Sequence, residues 1–569
     1  MGKVFLTAMN SKIIIADKAA EKNAYAGRED LVEVVIPDGV ERIAASAFFN
    51  CKNIVSVVIP ASVTVIEHGA FRGCGALRTL RLPEGLIAIG DEAFYDCESL
   101  DSLILPRGLT SIGREAFSLC LKLAEVTVPD SVVFIGERAF EICEGLRTLR
   151  LPGSLKEISD YLCQGCSKLV KIALAEGITS IGEGAFCSCF RLREITVPDS
   201  VLSIGEYAFS DCRGLQRVVL GKSLAEIGAY AFRECWSFCE FRMPESVAFV
   251  GDSAFENCRN LRFVKLSESL TRISGSMFCG CKSLAGIVLP AGIVSIGENA
   301  FKGCVSLREL NLPKSLTELG CSAFEDCVRL SGLNLPEGLD TAAESAFSGC
   351  ISLRAVNLPA GLVKIDAYAF SGCVSLREIA LPDSLISVGT GAFDGCVSLR
   401  SVKLPEGLEL TDTEAFRNCI GLADLYLPAS LEIIGEETFG GCVSLTSVKL
   451  PEGLSLIACG AFCSCSGLTE ANIPPSVAEI QDNAFSGCSR LREAALREGL
   501  SAIGAYAFSG AEDLREITVP DSVTSVGAGA FYSCPALQSV TWQGRRYTDK
   551  AEFNSALKRS GISEYDVWC

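Results

Sequence analysis

Apolar residues recur along this chain with a period of 23. Leu31, Ile54, Leu77, Leu100, Leu123, Leu146 and Leu169 hold equivalent positions, and the register runs to Leu537 without insertion or deletion. Leu31 to Ala536 thus contains 22 complete units, and a fixed period of this size marks a solenoid. In the unit 100–122, Leu103 and Leu105 alternate with Ser102 and Ile104, the two-residue period of a short strand. Pro106 ends the strand, because proline cannot donate to a sheet ladder. A second short extended segment around Leu109 and Ile112 leads to a bend at Gly113. Ala116 to Cys120 then has the i, i+3 spacing of one helical or 3₁₀ turn. The expected fold class is a repeat solenoid, α/β but rich in β.

One unit cannot bury its apolar face alone, so neighbours stacked at the ~4.8 Å strand spacing must build the core as a column. Identical side chains then lie above one another. Phenylalanine fills its position in 21 of 22 units, with Cys163 the exception, and cysteine fills its own in 21 of 22, with Ala511 the exception.

The unit Leu-x-x-Val/Leu-x-Leu-Pro-x-x-Leu/Val-x-x-Ile-Gly-x-x-Ala-Phe-x-x-Cys resembles the BspA-like leucine-rich repeat over about nine-tenths of the chain. It lacks the asparagine ladder of the more familiar leucine-rich repeats. The resemblance implies a right-handed leucine-rich-repeat superhelix, found mainly in bacterial and some protist proteins, often surface-exposed and linked to adhesion to host matrix proteins or to other cells.

The ends depart from the repeat. Residues 1–30 read as an N-terminal cap, with a hairpin of 4–9 and 12–16 about Asn10 and Ser11 that would shield the first unit's edge. The solenoid occupies 31–541. Residues 542–569 read as a C-terminal cap. In it Asp549 and Glu552 form a capping-box pattern for a helix through Arg559, stopped near Gly561.

The net charge of −18 and pI near 4.8 argue against nucleic acid and anionic membrane surfaces, which call for a concentrated basic stripe. The N-terminal apolar runs, Val4 to Leu6 and Ile13 to Ile15, are shorter than the continuous apolar stretch a secretory h-region requires. No span reaches membrane length. On sequence alone the location is cytoplasmic. The family resemblance adds cell-surface or secreted by an unconventional route as the alternative.

Little in the sequence points to catalysis or cofactors. Of the 29 cysteines, 21 belong to the apolar ladder and read as small, reduced hydrophobes. The pairs Cys187/Cys189, Cys279/Cys281 and Cys463/Cys465 are four and eight repeats apart, too far to share a tetrahedral metal. His68 is the lone histidine, and equal loop lengths leave no insertion to wall a cleft. Neither catalytic residues, metal ligands nor cofactors are expected, and the chain reads as a non-enzymatic binding module.

Binding is therefore expected on the sheet face. One outward column often reads Arg-Glu, as at Arg193-Glu194, Arg308-Glu309, Arg377-Glu378, Arg492-Glu493 and Arg515-Glu516, which suggests a solvated charge ladder. The next outward column varies, through Arg242, Lys265, Val288, Asn311, Asn334, Asn357, Ala380, Lys403, Tyr426 and Lys449. Around it, Gly221 and Ser267 replace the proline and aromatic bulk gathers. Phe238, Phe241 and Phe249 read as core fillers, Trp236 and Phe263 as exposed anchors. The partner-binding candidates are thus Trp236, Arg242, Phe263, Lys265, Asn311, Asn334, Asn357, Lys403, Tyr426 and Lys449, for a protein or other macromolecular ligand in adhesion or host and cell interaction. The alternative is a scaffold binding the organism's own proteins inside the cell.

Overall fold

A computed structural model describes residues 12–14, 21–409, 411–563 and 565–568. The chain divides into two compact units, 1–290 and 291–569, and each is a parallel-sheet solenoid. Each coil contributes two short extended segments. In the first unit Ser102–Ile104 pairs in parallel with Thr79–Arg81 of the coil before it, and Ser111–Ile112 pairs with Ala88–Ile89 and Phe134–Ile135 on either side. The second unit repeats the arrangement, with Gly332–Asn334 in register with Ala355–Asn357. Strand alternation sends the middle residue inward, so Leu103 and Val356 are buried while Ile104 and Asn357 face solvent.

The core of each unit is a set of stacked columns. In the first unit the rings from Phe48 to Phe140 lie 5.0–5.6 Å apart with planes within 5°. In the second, Phe301 to Phe531 follow at 5.0–6.0 Å. Planes this close to parallel at this separation form offset stacks. Cys163 interrupts the first ladder.

The expected helical or 3₁₀ turn at Ala116 to Cys120 takes the form of linked turns. Each repeat holds two left-handed residues four apart, here Glu115 (φ 53°) and Leu119 (φ 62°). They make successive amides alternate in direction. Glu115, Phe117 and Leu119 donate to Glu137, Ala139 and Glu141 of the next coil at 2.8–2.9 Å, while Ser118 and Cys120 donate to Glu115 and Phe117 within the turn. Alternate i→i+3 bonds retain the 3₁₀ spacing of the side chains, and the intervening amides become rungs between coils.

Two further ladders of side-chain donors reach carbonyls of the preceding coil. The second position after the proline is serine or glycine throughout, and where it is serine its hydroxyl commonly donates backward, as Ser200 does to Ile178 (2.7 Å) and Ser430 to Leu408 (2.9 Å). The ladder thiols also donate: Cys97 Sγ lies 3.4 Å from the carbonyl of Phe71 in the preceding coil. These hydroxyls and thiols stand in for the missing asparagine ladder.

At the N-terminus, the first arm and turn of the expected hairpin lie outside the described residues. Lys12–Ile14 forms a strand parallel to Glu33–Val35. Residues 21–29 extend the turn pattern one coil further than the leucine period reaches. Asn23 and Gly27 supply the left-handed pair, and Tyr25 stacks on Phe48 at 5.3 Å. At the other end, strands Ser539–Trp542 and Arg545–Tyr547 form a hairpin and the helix Lys550–Arg559 follows. Asp549 accepts a bond from the Glu552 amide (2.8 Å), while the Glu552 carboxylate turns to Arg545.

Candidate binding face on the outward strand columns

In the first unit three of the candidates come together. Parallel register places Glu240 beside Phe263 and Arg242 beside Lys265. The Arg242 guanidinium sits 5.3 Å from the Phe263 ring centroid and 3.7 Å from Glu240. The first of these is a cation–π contact. Lys265 reaches Glu245 at 2.8 Å, and this bond holds the Glu245 carboxyl below its ordinary range. The same carboxylate accepts the amide of Glu268 in the next coil at 3.0 Å.

Trp236 stands apart from this patch. It follows Cys235 at the coil edge, half-buried, with its indole between Arg213 (4.5 Å) and Arg259 (4.9 Å) and its N–H on Glu234 (2.6 Å). Both faces of the ring are covered by guanidinium groups. Phe238 and Phe241 are buried as expected, but Phe249 is not: it opens the strand Phe249–Val250 and is 42% exposed. Alternation turns Val250 inward in its place.

In the second unit the Asn357 amide donates to Asn334 Oδ1 at 2.5 Å, a short polar ladder on the strand face. Lys403 and Tyr426 are register neighbours, and Tyr426 is 59% exposed. Asn311 and Lys449 are exposed on segments outside the assigned strands. Of the Arg-Glu column, Arg492 pairs with Asp513 (3.6 Å) rather than with a glutamate of the column, and Glu516 pairs with Arg546 (3.7 Å).

An open groove of about 660 Å³ in the first unit was not anticipated from the sequence, and it is lined by Ile104, Arg107, Glu125, Thr127, Asp130 and Arg150. Its signal was an isoleucine in an outward strand position, where Ile104 is now 79% exposed.

Burial pushes the Cys97 and Cys396 thiols of the ladder well above their ordinary pKa, so their thiolate is scarce near neutral pH. His68 is exposed and Cys74 is buried. Among the described residues no three His, Cys, Asp or Glu side chains cluster to hold a metal, and no helix is long and apolar enough to cross a membrane.

Parallel coils, inward leucine columns and a solvent-facing short-strand sheet define a leucine-rich-repeat protein. The chain belongs to the BspA-type leucine-rich repeat family: the model of its six-copy repeat region matches in overlapping windows from 18–147 to 483–562, which together cover 18–562. Solved structures with similarity include a leucine-rich repeat protein from Bacteroides ovatus ATCC 8483, at 25% identity over 74% of this chain and 92% of that one, TM-score 0.46. Another is a leucine rich cell surface protein from Faecalibacterium prausnitzii A2-165, at 25% identity over 62% and 92%, TM-score 0.35. The T. pallidum leucine rich repeat protein is 37% identical over 33% of this chain and 87% of that one, TM-score 0.28. No curated protein matches the chain significantly. Repeats of this family form protein-interaction modules and are typically non-enzymatic.

Proposed function

We propose that this chain binds a protein ligand along its outward strand columns and serves adhesion or contact with host or other cells. The observation that carries the reading is where variation falls. In the second unit the inward strand residues stay aliphatic, as Leu333, Val356, Val402 and Leu425, while their outward neighbours change from Asn334 and Asn357 to Lys403 and Tyr426. Fold stability does not require those changes. Recognition uses such differences, with affinity spread over many modest contacts.

A second reading, a scaffold for the organism's own proteins inside the cell, draws on the ladder cysteines, such as Cys97 and Cys396, which stand as thiols rather than disulfides. Reduced cysteine in this number suits a reducing compartment. One experiment separates the two readings. A photo-crosslinking residue is placed at 263 or 426, and as controls at 133 or 386, exposed positions outside the three-residue strands. The chain is then offered a cell-surface protein fraction and the source organism's cytosolic extract. A discrete adduct from 263 or 426 with the surface fraction, lost in Phe263→Ala/Tyr426→Ala, is the expected result. Adducts confined to the cytosolic extract favour the scaffold, and equal adducts from the control positions overturn the sheet-face assignment.

A further inference from the structure

The residue after each ladder cysteine lies in the turn at the coil edge. In the first unit this column is mixed, including Glu98, Leu121, Glu144, Phe190, Arg213 and Trp236. In the second unit it is β-branched and aliphatic in seven consecutive coils. Val305 and Val328 are half-buried, and Ile351, Val374, Val397, Ile420 and Val443 are 36–48% exposed. The positions beside it are mostly small and uncharged, such as Gly372 and Ser375 about Val374. The result is a continuous apolar strip on the order of a few hundred Å², at the upper end for a surface patch on a monomer.

The strip lies outside the fully buried leucine and phenylalanine columns of the core. Its backbone is already satisfied: Ser375 and Ser398 donate to the Ile351 and Val374 carbonyls (3.1 Å each), and the Ile351 amide bonds Gly349 (2.8 Å). A partner cannot add a strand here and must pack on side chains.

Three residues further along each coil, within about 11 Å of chain, stand Arg308, Arg354, Arg377 and Arg400. All four are exposed, and none forms an ion pair among the described residues. Arg354, Arg377 and Arg400 occupy successive coils, joined by backbone rungs of 3.1 and 3.3 Å. Like charges stacked at the ~4.8 Å strand spacing repel and cost stability. In a chain of net charge −18, an unneutralised arginine row beside an apolar strip suits a ligand that brings carboxylates.

We infer that this edge of the second unit docks an amphipathic protein segment with an aliphatic or aromatic face and an Asp/Glu-rich border, the face on the Val/Ile strip and the border on the arginine row. Six coil steps span ~29 Å, the length of a helix of about 20 residues. A lipid surface fits less well, because the strip holds no aromatic or long side chain to insert and the chain's net charge repels an anionic bilayer. This inference does not rest on the sheet-face reading: the Val/Ile strip lies at the coil edge, and its arginines hold the Arg position of the Arg-Glu column, which supplies none of the residues that reading uses.

The test measures fluorescence anisotropy of the full chain with a fluorescein-labelled amphipathic helical peptide of about 20 residues, with a Leu face and a Glu border. Two control peptides carry Lys for Glu or a scrambled order. Binding at least tenfold tighter than either control is expected. Val374→Ser/Val397→Ser should weaken it about tenfold with an unchanged urea midpoint, and Arg377→Gln/Arg400→Gln should weaken it severalfold and flatten its salt dependence with a urea midpoint no lower than that of the parent chain, since it relieves the repulsion within the row. No binding, equal binding of the control peptides, or indifference to both variants overturns the inference. Strip-dependent binding to phosphatidylserine vesicles without peptide binding replaces the partner with a membrane. A dimer in sedimentation that Val374→Ser/Val397→Ser converts to monomer replaces it with a second copy.

Discussion

The thiol of Cys350 donates to the carbonyl of Phe324 in the preceding coil, 3.3 Å away. Burial pushes the Cys350 pKa from the ordinary 9.0 up to about 12. A raised folded-state value means that the unfolded chain loses this proton first as pH rises. The contribution of the group is therefore intact below pH 9 and drains between pH 9 and 12, at about 1.4 kcal/mol per pH unit for a fully shifted thiol. Because many ladder thiols share the shift, base unfolding should be steep. Circular dichroism between pH 8 and 11 should show cooperative loss of structure beginning near pH 9–10, and a profile flat to pH 11 would contradict the buried thiol ladder.

Thiol accessibility gives an independent reading of the same ladder. Cys239 and Cys321 are exposed, and Cys187, Cys279, Cys459 and Cys463 are half-buried, whereas the ladder cysteines are buried. With an aromatic disulfide reagent at pH 8, the two exposed cysteines should react within minutes and the half-buried ones more slowly. The ladder thiols should react only once urea unfolds the chain. Rapid titration of most of the thiols in the native protein would show that the coils are not closed.

The left-handed pairs predict a stabilising substitution. Ile142 holds φ 53°. For a β-branched residue this backbone state costs at least about 1 kcal/mol. Equivalent positions elsewhere carry Asn50, Asn257 and Asn418, and asparagine tolerates this geometry. Ile142→Asn should therefore raise stability in urea titration by up to about 1 kcal/mol, although it makes the surface more polar. An unchanged or lower urea midpoint would show that the isoleucine side chain gains as much from packing as its backbone loses.

The leucine period and the strand alternation were legible because burial repeats them at fixed intervals, as at Leu100 and Leu103. The left-handed columns were not, since residues as different as Glu115, Tyr368 and Gly391 share one backbone state imposed by the rungs between coils. Tyr25 escaped notice because it stands before the first leucine of the period, yet it continues the phenylalanine stack. Among the binding candidates, the sequence grouped Trp236 with Phe263 by proximity in the chain. The coil places one at the turn edge and the other on a strand. The aliphatic strip was hidden for a related reason: each member is a variable position within its own repeat, and the pattern is visible only down the column.

The phenylalanine stack sets the scale of core perturbation. Phe347 lies 5.7 Å from Phe324 and 5.2 Å from Phe370, fully buried. Phe347→Ala should cost about 3–5 kcal/mol by the precedent of large-to-small changes. The loss should be local, because each coil contacts chiefly its neighbours. Hydrogen exchange should accelerate at the amides of 324–370 and remain unchanged near Phe485 and Phe508. Uniform acceleration across the second unit would show that its coils unfold as one cooperative block.

The last coil supplies the final test, because its outward amides have no further coil to meet. The tail takes that place: Gly529 and Phe531 donate to the carbonyls of Asp566 and Val567 at 2.8 and 2.9 Å, the same contacts that other coils make with their successors. Asn554 of the helix Lys550–Arg559 holds the tail there. Its Oδ1 accepts the amides of Val567 and Trp568 at 3.0 and 3.1 Å, and its Nδ2 donates to the Trp568 carbonyl at 2.9 Å. Asn554 is buried. Asn554→Ala therefore strands three backbone groups at about 1–3 kcal/mol for each left unsatisfied, offset where water enters. The expected net loss is about 2–4 kcal/mol in the terminal coil. It should appear as faster exchange of the Gly529 and Phe531 amides while those of the Phe347 coil keep their protection. If the Gly529 and Phe531 amides stay protected in Asn554→Ala, the tail is held by the packing of Trp568 against Phe553 instead.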